Sequence, residues 1–241
     1  MNYSDFKFER LNDELSVCVS KDHRFGTDAF LLAYFSNARK KDIVCDFCSG
    51  NGIVALLLEK FYSPLKIYAA EIQDKAFCQL EESRQKSKLE KLFLFHGDIK
   101  DFKSNEELDL ITCNPPYKIS GTGIISETKA DKIARHETLC TIDDVCRAAS
   151  KNLKFGGRLC ITNRPERLCD VLCAMRENGI EPKRIRFVSK EKGGTPWLML
   201  AEGKKGAKPF MTVEKGLFVY DENGEYSEEM KQMYGLQESL M

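Results

Sequence analysis

Residues 42–52 read Asp42-Ile-Val-Cys-Asp46-Phe-Cys-Ser-Gly50-Asn-Gly52, and this stretch decides the fold that the sequence predicts. It begins with a short apolar strand over 42–46 and passes directly into an apolar helix over 51–61. Two glycines one residue apart let the backbone turn tightly and approach a ligand closely. A strand, a glycine loop and a helix in this order are typical of the first unit of a ligand-binding α/β domain.

The alternation of strand and helix continues downstream. Further strands are expected over 66–71, 92–96, 108–113, 157–162, 185–188 and 196–201, and helices over 74–88, 142–153 and 165–178. The last two strands are separated by Lys192-Gly-Gly194, a hairpin signal, whereas 117–140 is polar and lacks periodicity. This pattern predicts an α/β fold with a Rossmann-like, doubly wound, mostly parallel seven-stranded sheet and helices on both faces.

Three parts of the chain can be distinguished. The alternating pattern occupies 41–203 and forms the main domain. Residues 1–40 form an N-terminal extension with a short strand over 15–19 and an apolar helix, for which Thr27 or Asp28 is a natural N-cap. We expect this extension to close over a ligand held by the main domain. Residues 204–241 are a basic loop and a tail expected to pack on the same domain.

Composition narrows the class of protein. Lysine plus arginine and aspartate plus glutamate both number 37, so the charge is balanced overall. No stretch is long and apolar enough for a transmembrane helix, and no secretion signal begins the chain. The ten cysteines lie largely in apolar runs or helical stretches, which favours a reducing compartment and a cytoplasmic location. Cys45 and Cys48 have no second pair at metal-binding spacing, so no metal site is expected.

Polar side chains end four of the predicted parallel strands. Asp46 ends the first strand, Glu71 the second, Asp98 follows the third and Asn114 follows the fourth. Glu71 lies about twenty residues beyond the glycine loop, the usual spacing for a carboxylate that binds ribose hydroxyls. Ligands of such sheets lie beyond the carboxyl ends of the strands, so we expect these four side chains to share one site.

The fourth strand ends in the rigid corner Asn114-Pro115-Pro116-Tyr117. Proline fixes its own φ angle and pushes the preceding residue toward extended geometry. The Asn114 carboxamide oxygen and the Pro115 carbonyl can each accept one hydrogen of an NH2 group, while Tyr117 stacks on a flat ring. The alternative is an ordinary Asn-Pro turn followed by a core tyrosine.

Two cofactors fit the glycine loop. Gly50-Asn-Gly52-Ile-Val-Ala55 matches the G-x-G-x-x-A pattern of nicotinamide dinucleotide sites, so a dehydrogenase is a rival hypothesis. Asp46 argues against it, because a carboxylate just before the loop would repel a pyrophosphate but attract the ammonium of S-adenosylmethionine. The dinucleotide hypothesis also leaves the Asn114 corner without a role.

Taken together, Asp46-x-x-x-Gly50-x-Gly52, Glu71, Gly97-Asp98 and Asn114-Pro-Pro-Tyr117 resemble the class I S-adenosylmethionine-dependent methyltransferases that act on amino groups. The resemblance covers 41–200 in order and spacing, with Cys48 where many relatives have glycine. It implies S-adenosylmethionine as the cofactor and catalysis by Asn114, Pro115, Pro116 and Tyr117. The implied cofactor-binding residues are Gly26, Thr27, Asp28, Asp46, Cys48, Ser49, Gly50, Asn51, Gly52, Glu71, Ile72, Asp98, Ile99 and Asn114.

Within this family the chain is most similar to bacterial enzymes that methylate N6 of an adenine beside the anticodon of valine tRNA. The similarity rests on Phe25-Gly-Thr-Asp28-Ala-Phe-Leu-Leu, Ala134-Arg-His-Glu137 and Lys204-Lys-Gly-Ala-Lys208-Pro. It implies adenine-37 of valine tRNA as the substrate, and we expect a monomer. Because basic residues cluster near the expected base pocket, we predict that Arg135 and some of Lys204, Lys205 and Lys208 contact RNA phosphates. For these lysines a solvated surface loop is the alternative.

Three other functions remain open on sequence grounds. Glutamine N5 methyltransferases use the same corner on a protein amide, although they resemble this chain only in the sheet. Another RNA or DNA adenine is a second alternative. A scaffold that holds the cofactor without catalysis is the third, and it would bind S-adenosylmethionine without methylating any acceptor.

Overall fold

The computed structural model describes residues 5–21, 23–115 and 140–236. Eleven strands lie in these ranges, in chain order β1 Lys7–Arg10, β2 Ser16–Val19, β3 Ile43–Phe47, β4 Lys66–Glu71, β5 Leu92–His96, β6 Leu108–Cys113, β7 Leu153–Asn163, β8 Ile180–Ser189, β9 Leu198–Lys205, β10 Thr212–Val213 and β11 Leu217–Phe218. The α-helices are α1 Thr27–Phe35, α2 Ile53–Tyr62, α3 Asp74–Lys86, α4 Ile142–Asn152, α5 Leu168–Glu177 and α6 Glu228–Tyr234.

The main sheet has the strand order β10-β8-β9-β7-β6-β3-β4-β5, with β11 also paired to β8. Neighbouring strands from β5 to β7 are parallel, and β9 alone of the long strands runs antiparallel, between β7 and β8. The predicted doubly wound, mostly parallel sheet is therefore confirmed. The seven expected strands form its body, and the tail adds two short strands, so the sheet described here has nine.

Helices cover both faces of the sheet, as expected. Alternate residues of β3 point to opposite sides, so Val44 and Cys45 belong to different apolar cores. The first core packs Val44 against α1 and α2, through side chains such as Leu31 and Leu56. The second packs Cys45 against α4 and α5, through Val145 and Val171. A sheet buried on both faces leaves its strand ends as the natural place for a ligand.

The two terminal segments pack against this domain. The β1–β2 hairpin contacts α3, where the buried Ser83 hydroxyl accepts a hydrogen bond from the Cys18 backbone N–H at 2.8 Å. Helix α6 contacts α1, with the Tyr234 hydroxyl 3.1 Å from Thr27 Oγ1 and the Tyr234 ring 4.8 Å from that of Phe30. Gly26 is the N-cap of α1, which corrects the expectation that Thr27 or Asp28 caps it. The Thr27 hydroxyl faces Tyr234, and Asp28 Oδ1 accepts a hydrogen bond from the Ala29 backbone N–H at 3.1 Å.

Candidate active site

The sheet register brings the expected strand ends into one line. Phe47 of β3 pairs with Ala70 of β4 on one side and with Cys113 of β6 on the other, and Cys113 pairs in turn with Ile161 of β7. The residues that follow these positions therefore lie side by side at the carboxyl edge of the sheet. They are Cys48, Glu71, Asn114 and Thr162.

The glycine loop adopts left-handed backbone geometry at three positions. The φ angles are 55° at Cys48, 56° at Gly50 and 87° at Gly52, which begins α2 as its N-cap. A Cβ at Gly52 would lie 2.5 Å from Leu80 Cδ1, so only glycine fits there. Cys48 occupies a conformation that costs a non-glycine residue about 1–2 kcal/mol. The cysteine that replaces the usual glycine is thus held under backbone strain.

Glu71, at the end of the neighbouring strand β4, holds this loop by a hydrogen bond to its backbone. One carboxylate oxygen accepts the Gly50 backbone N–H at 2.8 Å, and the other accepts the Gln73 backbone N–H at 2.8 Å. The side chain is buried, with 3% of the residue exposed. A carboxylate has about four lone-pair sites, so hydrogen bonding to the loop is compatible with binding of ligand hydroxyls.

Asp46 is a buried carboxylate beneath the same loop. Its Oδ1 accepts a hydrogen bond from the Thr112 hydroxyl at 2.7 Å, while Oδ2 is buried and has no hydrogen-bond partner among the described residues. Burial raises the pKa of Asp46 to about 7, and the hydroxyls of Thr112 and Ser49 lower it only in part. An unsatisfied buried carboxylate oxygen is suited to a cationic donor.

Asn114 makes hydrogen bonds at both ends of its carboxamide. Its Nδ2 donates to Asp28 Oδ2 at 3.1 Å, and its Oδ1 accepts from the Thr162 hydroxyl at 2.7 Å. Asp28 is 86 residues away along the chain and lies in the first turn of α1. The N-terminal extension therefore reaches the corner that ends β6. Pro115, the next residue, is buried.

Two open cavities adjoin at this edge of the sheet. The first, of about 180 Å³, is lined in part by Glu71, Ile72, Asp98 and Ile99. The second, also of about 180 Å³, is lined in part by Gly26, Asp28, Ser49 and Asn51. Both are lined by Cys48, Gly50 and Asn114. The Asn114 side chain thus stands where the two cavities meet.

Three of the expected cofactor residues do not line these cavities. The Thr27 hydroxyl faces Tyr234, Asp46 lies below the loop, and Gly52 begins α2. Asn51 lines the second cavity, although its side-chain amide donates to the Cys18 carbonyl at 3.0 Å. The first three residues support the loop and the helix ends that form the site, without placing side chains in the cavities. Pro116, Tyr117 and Arg135 lie outside the described residues.

The three basic residues of the tail are far from this site. Lys204 pairs with Arg158, in the middle of β7, whereas Met199 pairs with Asn163 at the carboxyl end of that strand. At about 3.3 Å per residue, this separates Lys204 from the site edge by roughly 17 Å. Lys205 donates to the Ser150 and Leu153 carbonyls, and Lys208 follows still farther along the chain. The expectation that these lysines adjoin the base pocket is corrected, because β9 runs antiparallel.

Sequence reasoning missed several residues of the site. Thr112 and Thr162 are fully buried strand threonines whose hydroxyls hold Asp46 and Asn114. Their position in the strands next to the predicted site was the available signal. His23 and Arg24 line the second cavity beside Gly26. Because they precede the predicted site residue Gly26 by only two or three positions, the sequence could have indicated them as site residues.

Comparison with known proteins identifies the family. A family model described as the methyltransferase small domain matches residues 19–173. The chain belongs to this family. The methyltransferase small domain spans the site residues from Gly26 to Thr162, so the predicted class of enzyme is confirmed and S-adenosylmethionine is supported as the cofactor.

Two named relatives resemble the chain over nearly its full length. The chain is 26% identical over 237 residues to the tRNA1(Val) (adenine(37)-N6)-methyltransferase of Histophilus somni strain 2336. The alignment covers 94% of this chain and 94% of that protein. A protein of the same name from Actinobacillus pleuropneumoniae serotype 7 is 25% identical over 230 residues, covering 95% of this chain and 94% of that one.

Solved structures support the fold. A protein described as a predicted O-methyltransferase from Agrobacterium tumefaciens has a TM-score of 0.66 and 16% identity, covering 86% of this chain and 95% of its own. The M. jannaschii TYW2 structure in complex with AdoMet has a TM-score of 0.56 and 14% identity, covering 83% and 85%.

Across residues 5–21, 23–115 and 140–236, no group of three or more His, Cys, Asp or Glu side chains could hold a metal ion. The helices in these same ranges are all too short or too polar to cross a bilayer.

Proposed function

We propose that the protein transfers the methyl group of S-adenosylmethionine to the exocyclic N6 amine of an adenine in RNA, namely adenine-37 of valine tRNA. The observation that carries the proposal is the position of Asn114, whose carboxamide stands at the junction of the two cavities. The choice of substrate is supported by relatives that carry this activity in their names and align over 94% of both chains.

The two cavities match the two halves of S-adenosylmethionine. Asp98 would take the adenine amine, Ile72 and Ile99 would cover the ring, and Glu71 would take the ribose hydroxyls. The second cavity would hold the amino-acid half, with the exposed Arg24 near its carboxylate and Asp46 below its ammonium. The buried Oδ2 of Asp46, which has no hydrogen-bond partner within the part of the chain that the structure describes, is the observation that fits this cationic group. When bound, the cofactor supplies a methyl group already activated by the sulfonium charge.

The protein then has to position the acceptor. An aryl NH2 is a poor nucleophile because its lone pair is delocalised into the ring. Hydrogen bonds to the Asn114 oxygen and the Pro115 carbonyl would bias the nitrogen toward pyramidal geometry, and positioning of this kind supplies most of the acceleration. In this proposal Pro116 stiffens the corner and Tyr117 stacks on the base. An anticodon-loop adenine is cheap to unstack.

Asp28 supplies a charge that the corner lacks. Asn114 is neutral, so by itself it offers no counter-charge to a sulfonium. The Asp28 carboxylate lies 3.1 Å from Asn114 Nδ2 and lines the cavity proposed for the methionine half. It therefore places a negative charge beside the reacting centre without occupying the position of the acceptor.

The RNA surface is proposed to lie at the carboxyl edge of the sheet. Arg135 belongs to the segment that follows the corner and remains a proposed phosphate contact. Lys204, Lys205 and Lys208 are not included, because β9 runs away from that edge before it reaches Lys204. Several other basic residues of 151–210 are engaged in ion pairs, including Arg158 and Arg184 with Glu202 and Arg186 with Glu229.

The test is incubation of the purified protein with S-adenosylmethionine carrying a deuterated methyl group and with unmodified valine tRNA, followed by nucleoside mass spectrometry and mapping. We expect labelled N6-methyladenosine at position 37. Label at another adenine would change the RNA site, and label on a protein glutamine would support the glutamine methyltransferase alternative. Cofactor binding without any labelled acceptor would contradict the enzymatic proposal.

A further inference from the structure

The carboxamide of Asn114 is held between two partners of opposite hydrogen-bonding character. Asp28 Oδ2 lies 3.1 Å from Nδ2, and the Thr162 hydroxyl lies 2.7 Å from Oδ1. An ionised carboxylate can only accept hydrogen bonds, so Asp28 selects the NH2 end of the amide. A hydroxyl can donate, so Thr162 is matched to the oxygen end.

This arrangement opposes rotation of the amide by 180°. The rotated amide would face its oxygen toward the Asp28 carboxylate and its NH2 toward the Thr162 hydroxyl. The first contact would set two acceptors against each other in a partly buried site, where electrostatic interactions are stronger than in water. Thr162 has no exposed surface and lies on β7 directly beside the end of β6, so its hydroxyl is fixed by the sheet.

We infer that Thr162 is a positioning residue that, with Asp28, fixes the direction in which the Asn114 carboxamide presents its oxygen to the acceptor amine. This inference rests on the proposed methyl transfer and deepens it. An amide oxygen can accept two hydrogen bonds, so the bond from Thr162 does not prevent Asn114 from accepting an N–H of the acceptor. Thr162 itself need not touch substrate or cofactor.

Gly26 affects the position of the Asp28 carboxylate that holds Asn114. A Cβ built on Gly26 would lie 2.7 Å from Asp28 Oδ1, so a larger residue at this position would displace the Asp28 carboxylate. The glycine is not required by its backbone, because its φ angle is −119°. Its role is to leave room for the carboxylate that holds Asn114.

The test compares Thr162→Val, which removes the hydroxyl at similar volume, with Thr162→Ser, which keeps it. Thr162→Val is expected to lower kcat about 10- to 100-fold while the KM for S-adenosylmethionine changes less than about threefold, a loss typical of one buried orienting hydrogen bond. Thr162→Ser is expected to recover most of that loss. Thr112→Val is the matched control, because Thr112 is equally buried but holds Asp46, so it should raise the KM for the cofactor instead.

A double-mutant cycle separates positioning from general damage. In an Asn114→Ala background, Thr162→Val should lower kcat no further, because the group through which Thr162 acts is absent. Full additivity of the two losses would overturn the inference, as would wild-type kcat in Thr162→Val. If Thr162→Val does not fold, equal kcat values for Thr162→Ser and Thr162→Ala would also overturn it. Absence of methylation by the wild-type protein would instead refute the proposed function.

Discussion

Replacing Asp46 by asparagine should change how the stability of the cofactor-free protein depends on pH. Burial raises the pKa of Asp46 to about 7, from an ordinary value of 3.8. The folded protein therefore holds this proton more tightly than the unfolded chain does. Its contribution to stability is fully present at pH below about 4, is lost as pH rises toward 7, and stays lost above it.

The magnitude follows from the size of this shift. Between pH 5 and pH 8 the ionisation of Asp46 should cost the folded protein about 2–3 kcal/mol. In a chain of 241 residues, 1 kcal/mol corresponds to about 2–4 °C of melting temperature. The amide that replaces the carboxyl group cannot ionise, so the melting temperature of Asp46→Asn relative to wild type should increase by roughly 5–10 °C between these two pH values. Any lowering of the melting temperature by the buried amide of the variant is the same at both pH values, so it cancels when the two pH values are compared.

Cofactor binding should depend on pH in the opposite direction to stability: it should weaken as the pH falls. The proposed attraction of the cofactor ammonium to Asp46 requires the ionised carboxylate, so the affinity of the wild type for S-adenosylmethionine should fall by up to about tenfold per pH unit below 7. The Asp46→Asn variant should bind at least about tenfold more weakly than wild type at pH 8, and its affinity should vary less with pH. The assays are differential scanning fluorimetry without cofactor and isothermal titration calorimetry with it.

The matched control is Asp42→Asn. Asp42 is also buried, but it lies at the opposite edge of the sheet, where it pairs with Arg158. This variant should lose stability and keep its affinity for the cofactor. If Asp46→Asn retains the pH dependence of the wild-type melting temperature and binds the cofactor with wild-type affinity, the account of Asp46 is refuted.

Three further predictions concern the loop and the tail. Glu71→Gln should weaken S-adenosylmethionine binding at least about tenfold by calorimetry, because it disturbs the Gly50 contact and removes a charge from the proposed ribose site; unchanged affinity would contradict this. Gly52→Ala should destabilise the protein by about 2 kcal/mol or more in urea unfolding, because its Cβ would meet Leu80 in left-handed geometry. A combined Lys204→Ala and Lys208→Ala variant should keep its affinity for tRNA within about twofold and its salt dependence unchanged. A flatter salt dependence would restore these lysines to the RNA surface.

The sequence predicted the parts of the site that follow from strand ends. Asp46, Glu71 and Asn114 each end or follow a strand, and parallel pairing necessarily brings such residues to one edge. The glycine loop was equally predictable, because its turn precedes an apolar helix. The strain at Cys48 could be suspected only from a comparison with glycine-bearing relatives.

Contacts between distant segments were not predictable from local pattern. The pairing of Asp28 with Asn114 depends on where α1 crosses the strand ends, and Thr162 depends on the register of β7 against β6. The positions of the tail lysines were not predictable either, because they depend on the direction of β9. This antiparallel strand carries Lys204 away from the site edge, although the hairpin that begins β9 lies at that edge.

The central claim is that Asn114 presents the acceptor amine at the junction of two half-sites. Its most direct test is the single-turnover rate of methyl transfer to a valine tRNA anticodon stem-loop by wild type and Asn114→Ala, with the dissociation constant of S-adenosylmethionine measured for both. We expect the rate to fall at least about 100-fold while the dissociation constant stays within about threefold. A rate close to that of the wild type, or a loss fully explained by weaker cofactor binding, would contradict the account.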